Sequence, residues 1–387
     1  MNKPIFEGIR CYNDSEVTGA LQRLVKEDIF LKMISILFPN YSTKQIVDQL
    51  LSYRTIIDFQ KGFVNQFLLG LEASITHGIK MYGLEKIDRT KAQLYISNHR
   101  DIILDSAFLC TKLIENDLDT VEIAIGDNLL IYPWITDLVR VNKSFIVRRG
   151  LSSRQILESS ELLSQYIAHT IQTKQQSIWI AQREGRAKDS NDTTQESLLK
   201  MFNMYGTEDL TTNLVNLNIC PLCISYEYDP CDFLKAREFQ LKRDNPLYAK
   251  TPEDDLINMQ TGVMGFKGKI VYQITGNIEA ELKNIGSKKL NKNEQIHHIA
   301  ELIDRQIHAG YAIFPNNMIA HDLLKNETRF TNKYTQSDVL TFENYISKQL
   351  SKIVTENKDI DFLRLKILEM YANPLINKLI AIENKLD

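Results

Sequence analysis

The chain has 387 residues, 43% of them hydrophobic and 25% charged, which is the composition of a folded protein with a sizeable core and excludes a disordered or low-complexity chain. Its 46 Lys plus Arg stand against 49 Asp plus Glu, a net charge of -3, so no basic field argues for a nucleic-acid partner and any anion site must be local. Five scattered cysteines make no disulfide framework and point to a reducing compartment.

The opening MNKPIFEGIRCYND lacks the apolar run and small-residue cleavage site of a signal peptide. The longest apolar stretches, Ile29 to Phe38 and Phe67 to Leu71, are interrupted by Lys32 or ended by Glu72, well short of the ~20 residues that span a bilayer. The expected location is cytoplasmic, with any membrane role peripheral on the inner face of the cell membrane.

From Ser15 to Tyr82 apolar residues recur at helical spacing, as in Leu21, Leu24, Val25, Ile29, Leu31 and Ile34, which predicts three or four helices with a turn at Pro39–Ser42. Their apolar stripes suit packing on the rest of the protein or, alternatively, contact with a membrane. After Gly83 come short apolar runs that predict strands: Leu94 to Ser97, Val121 to Ile125, Ser144 to Val147, Ser177 to Ala181, Ile219 to Tyr226 and Lys269 to Thr275. Helical patterns separate them, including Ile102 to Ile114 and Arg154 to Gln172, the latter behind a Ser152/Gln155 capping box. This alternation predicts an α/β fold, a mixed sheet flanked by helices. Helical spacing returns from Asn291, with Ile299, Leu302, Ile303 and Ile307, then Phe362 to Leu379. The predicted organisation is a helical N-terminal region, 1–83, an α/β domain, 84–285, and a helical C-terminal region, 286–387.

Ligands of an open α/β sheet gather at the carboxyl ends of strands, and four predicted strands end in conspicuous polar residues. The first runs into Asn98, His99, Arg100, Asp101 and, after three apolar residues, Asp105. A histidine there can act as general base, and a nearby carboxylate can fix its tautomer; alternatively, Asp101 caps the following helix and His99 is a loop residue. The second ends in Arg148, Arg149 and Gly150, within a run of five cations that holds no carboxylate. Arginine forks suit phosphate oxygens, whereas the same cations could simply guard a sheet edge. The third runs into Gln182, Arg183, Glu184, Gly185, Arg186 and Lys188, where Gly185 permits close backbone approach to a ligand and Glu184 can accept from a hydroxyl. The fourth holds Pro221 and a Tyr226–Glu227 end. Its Cys220 and Cys223 have the spacing of a metal or redox pair, but residues three apart in a strand face opposite sides, so both read as core cysteines.

Taken in order, these four motifs resemble the glycerolipid acyltransferase family of glycerol-3-phosphate and 1-acylglycerol-3-phosphate acyltransferases, over roughly Gly83 to Asp229. Asn98 and His99 match the family's first motif, but the acidic residue follows His99 after five residues, at Asp105, where the family has four. Phe145, Ile146 and Arg148 match the second motif. Glu184 and Gly185 match the third, whose usual proline is replaced by Arg183 and whose Thr-Arg pair is replaced by Arg186 and Ala187. Pro221 matches the fourth. The sequence is similar to a divergent bacterial branch with His-Arg-Asp in the first motif.

The resemblance implies transfer of a fatty acyl group from acyl-CoA or acyl carrier protein, as co-substrate, to a hydroxyl of glycerol 3-phosphate or a lysophospholipid. His99 would be the general base and Asp105 or Asp101 its partner. Asp105 is favoured because a carboxylate two positions on more naturally caps the helix amides, provided that a loop or wide turn between Arg100 and Ile103 absorbs the extra residue. Arg148, Arg149 and Arg186 would hold a phosphate of donor or acceptor, Glu184 would position the acceptor hydroxyl, and Gly185 and Lys188 would complete the substrate-binding set. No Gly-x-Ser-x-Gly elbow suggests a serine acyl-enzyme, and the chemistry requires no metal or resident cofactor. The alternatives are an O-acyltransferase for a phosphate-free lysolipid, such as an acylated amino acid, and a noncatalytic lipid-binding protein that keeps the fold.

Overall fold

In the computed structural model, which describes residues 5–383, one seven-stranded sheet has the order β1-β7-β6-β2-β5-β3-β4. The strands are β1 Thr76–Tyr82, β2 Leu94–Ser97, β3 Glu122–Gly126, β4 Ser144–Val147, β5 Ile178–Ala181, β6 Ile219–Tyr226 and β7 Gly268–Ile274. Strands β2 to β6 run parallel, β7 is antiparallel to β6, and β1 is parallel to β7. The fold is α/β with a mixed sheet flanked by helices, the class that the sequence predicts.

The central strands are short and apolar because helices cover both faces. Leu94, Ile96, Ile178 and Ile180 pack towards the helices Ser153–Gln172 and Lys292–Gly310. Tyr95, Trp179, Leu222, Ile224 and Tyr272 pack on the other face, against the helix Leu104–Glu115. Cys220 and Cys223 fall on opposite faces, both buried, and burial pushes each thiol up to about 12.

The helical reading of residues 15–82 needs correction at its end, since the last helix stops at Ile75 and the next residues form edge strand β1. Gly78, at φ 98°, and a register shift between Thr76 and Ile79 break the alternation that marks a strand. His77 and Lys80 are exposed on this edge, where charge protects unpaired backbone.

The N-terminal helices Asp14–Leu24, Asp28–Leu37 and Thr43–Ser52 form a cluster around Leu21, Phe30, Ile34 and Leu50, which Trp134 and Val141 of the helix Pro133–Val141 join. Their buried stripes therefore pack within the protein. On the C-terminal side, Lys292–Gly310 belongs to the sheet core, whereas Pro315–Lys325, Gln336–Lys352 and Ile360–Glu383 form a cluster with Ala236. Among the described residues, no helix is long and apolar enough to cross a membrane.

Candidate active site

The site starts where β2 stops. Asn98 is fully buried, and its side chain continues the pairing of β2 with β6: Nδ2 donates to the Ile224 carbonyl and Oδ1 accepts from the Ile224 amide, both at 2.8 Å. Trp179 on β5 donates from Nε1 to the Ser97 hydroxyl at 3.0 Å, and that hydroxyl donates to the Asn98 carbonyl at 2.7 Å. With its backbone fixed on both sides, the chain can leave the sheet in one direction only.

His99 follows, with Nδ1 2.8 Å from Asp105 Oδ2. The same oxygen accepts from the amides of Arg100, at 2.6 Å, and Asp101, at 3.1 Å. Two backbone amides can only donate, so this oxygen is an acceptor and Nδ1 carries the third hydrogen. In the neutral ring, Nε2 is then the free base. The imidazole keeps 14% exposure while Asp105 is sealed, and the Trp179 ring stands edge-on to it at 5.7 Å.

Asp101 does different work. Its Oδ1 accepts from the amides of Ile103 and Leu104, each at 2.9 Å, and so caps the turn that leads into the helix Leu104–Glu115. Residues 102–103 form the turn between Asp101 and this helix. Gly262 lies so close that a Cβ there would come within 2.5 Å of Asp101 Oδ2.

The cations spread over several partners. Arg149 pairs with Glu184 at 2.7 Å, joining the ends of β4 and β5. Gly185 takes φ 68° beside them with open space around its Cα. Arg148 is exposed and has no hydrogen bond or ion pair among the described residues; its guanidinium lies near Gly8. Arg186 is largely enclosed and donates to Asn258 Oδ1 at 3.0 Å; burial works against its charge, but Cys231, Asp229 and Asp101 hold its pKa above the ordinary value. Lys188 is drawn off to Glu238. The expected substrate-binding residues thus fall into separate groups: Arg149 and Glu184 form one, while Arg186 and Lys188 are tied to residues of later helices.

Several neighbours escape a sequence reading. Tyr272 donates its hydroxyl to the Asp105 carbonyl at 2.7 Å. Burial and then the charge of Asp105 push the Tyr226 hydroxyl well above the ordinary phenol range, so it stays protonated beside the carboxylate. Lys267 is fully buried and donates to the carbonyls of Gly262 and Gly265. The available signal was strand alternation, which puts Trp179 on the face of Tyr95 and Tyr226 on that of Ile224; nothing local marks Lys267.

An α/β protein whose parallel strands deliver a carboxylate-oriented imidazole to their carboxyl edge has the arrangement of a general-base site. Residues 78–225 match the family model described as Acyltransferase, and these residues run from the third residue of β1 to the next-to-last residue of β6, with His99 and Asp105 inside. This match supports acyl transfer as the activity of that part of the chain. No curated protein matches the chain.

Proposed function

We propose that this protein moves a fatty acyl group from acyl-CoA or acyl carrier protein to a hydroxyl of glycerol 3-phosphate or a lysophospholipid, in the cytoplasm or at the inner face of the cell membrane. The observation that carries this reading is the orientation of His99, with Nδ1 held by Asp105 and Nε2 free, inside the segment that matches the Acyltransferase family model. Nε2 takes the proton of the acceptor hydroxyl as its oxygen attacks the thioester carbonyl carbon. Asp105 stabilises the imidazolium, and collapse of the tetrahedral oxyanion expels the thiolate, which takes the proton back from Nε2. The acyl group passes directly, and much of the rate comes from holding two reactants in register.

A second acceptor class is favoured by one observation. Arg149, Arg186 and Lys188 already have partners inside the chain, which suits a phosphate-free lysolipid, with Arg148 left without a partner among the described residues. Incubation with long-chain acyl-CoA or acyl carrier protein and a panel of acceptors, following free thiol and the acylated product, decides among these. Ester formation only on phosphate-bearing acceptors supports the first class, and ester formation only on phosphate-free acceptors the second. Lipid binding without thiol release on any acceptor would leave a noncatalytic lipid-binding protein.

A further inference from the structure

We propose that Arg100 is a positioning residue for the His99–Asp105 pair, and that through it the C-terminal helices, outside the acyltransferase-family segment, set the geometry of the site. The proposal rests on the reading of His99 as the base. Of the three groups that hold Asp105 Oδ2, two are backbone amides, those of Arg100 and Asp101, and these flank the Arg100 Cα. The direction of the carboxylate, and with it the His99 ring, follows the placement of Arg100.

The Arg100 side chain is anchored far from its sequence neighbours. It is 5% exposed, and its Nη2 lies 2.6 Å from Asp192 Oδ2 and donates to the Tyr311 hydroxyl at 3.1 Å. That hydroxyl donates to the same Asp192 oxygen at 2.6 Å. Asp192 lies in the loop after β5, and Tyr311 follows the helix Lys292–Gly310. Further bonds fasten both: His308 Nε2 meets the Asp192 carbonyl at 2.7 Å, Lys378 Nζ donates to the Tyr311 carbonyl at 2.5 Å, and Asn373 Nδ2 donates to the Asp189 carbonyl at 2.8 Å. Tyr311, His308, Asn373 and Lys378 all lie beyond residue 225, where the family match ends.

Stability alone is a poor reason for such a pair. Moving two charges into the interior costs several kcal/mol per ion, and apolar residues of similar volume often serve as well or better. What apolar residues cannot supply is direction. Through Nη2, which meets both Asp192 and Tyr311, the side chain ties the placement of the Arg100 backbone, and hence the direction of its amide, to the loop after β5 and to Tyr311.

The test uses the full-length protein labelled with 15N-histidine, with His99→Gln to assign the ring signals. In Arg100→Met/Asp192→Leu both charges go together, so no orphan charge is buried. This variant is expected to melt close to the parent, to lose or shift the His99 Nδ1–H resonance, and to lower kcat for thioester turnover by about 100-fold at unchanged KM. Arg100→Lys should recover part of the rate. A double variant with the parental resonance and kcat would overturn the proposal. If that variant does not fold, Tyr311→Phe, which keeps the ion pair, is read instead: a shifted resonance with a smaller fall in kcat supports positioning, and an unchanged resonance overturns it. Full turnover by His99→Ala would instead sink the reading of His99 as base, a result that the Arg100 spectra cannot mimic.

Discussion

His99 Nδ1 and Asp105 Oδ2 stand 2.8 Å apart across six positions of sequence, because the turn at 102–103 folds the carboxylate back under the ring. If this pair carries the reaction, His99→Ala loses ~100- to 10,000-fold in kcat with little change in melting temperature, since the imidazole sits at the rim of the core. Asp105→Asn should fall in the same range, because an amide nitrogen facing Nδ1 favours the wrong tautomer. Thiol-release kinetics on both variants checks this, and parental rates in either would dismiss the mechanism.

Asp101, only two positions from His99, should behave differently. Asp101→Asn keeps an acceptor for the amides of Ile103 and Leu104 and is expected to turn over at close to the parental rate. Asp101→Ala loses the cap and at least about 1 kcal/mol of stability. Denaturant unfolding beside kinetics separates the two carboxylates, and a collapse of kcat in Asp101→Asn would return Asp101 to the catalytic set.

How legible this was depended on range along the chain. Strands β2, β5 and β6 announce themselves as apolar runs because burial on both faces leaves few polar positions, whereas β7 alternates buried residues with Lys269, Val271 and Gln273. Edge strand β1 did not, because Gly78 breaks its alternation and it continues directly from a helix. His99 and Asp105 were legible because they are six residues apart. Asp192 and Tyr311 were not: each meets Arg100 across more than ninety residues, and no local spacing encodes such a contact. The same limit hides the partners of the cations, since the Asn258 and Glu238 that meet Arg186 and Lys188 lie on helices whose packing no motif reveals.

The arginines should therefore separate in their effects. Arg149→Ala breaks a half-exposed ion pair worth no more than about 1 kcal/mol, so its melting temperature should hold. Arg148→Ala is likewise expected to leave the fold alone and to raise KM for an anionic acceptor. Arg186→Ala removes an enclosed cation from beside Asp229 and Asp101 and should cost about 3 kcal/mol. Melting curves with acceptor titrations distinguish them. A stable Arg186→Ala protein with raised KM alone would restore Arg186 to the substrate site.

Asp232 gives a pH dependence. Fully buried, it accepts from the hydroxyls of Tyr345 at 2.7 Å and Tyr371 at 2.9 Å and from Gln349 Nε2 at 2.6 Å. Burial, and then the charge of Asp229, push its carboxyl up to about 7. An unfolded chain releases this proton near ~4, so between the two values the native state holds more protons and stability falls as pH rises. Asp232→Asn has no proton to lose. Its melting temperature should exceed that of the parent at pH 8, with the gap closing towards pH 5; a gap constant with pH would mean that the carboxyl titrates elsewhere.

Asn98 offers the most direct probe of how the sheet sets up the site. Its amide serves the Ile224 carbonyl as donor and the Ile224 amide as acceptor at once, a double role that only an amide or a protonated acid of the same shape can fill. In Asn98→Asp at neutral pH, an ionised carboxylate would meet the Ile224 carbonyl in a fully buried position, with the hydrogen bond lost and two oxygens in repulsion. The expected cost is about 2 to 3 kcal/mol, with a fall in kcat as the chain leaving β2 shifts the His99 ring. Protonation restores both roles, so the deficit in melting temperature relative to the parent should shrink between pH 8 and pH 5. Asn98→Ala, which cannot recover a donor, is expected to show the same deficit at both pH values. An Asn98→Asp deficit that does not respond to pH would show that the bond to the Ile224 carbonyl contributes little, and that the exit of β2 is held by Trp179 and Ser97 alone.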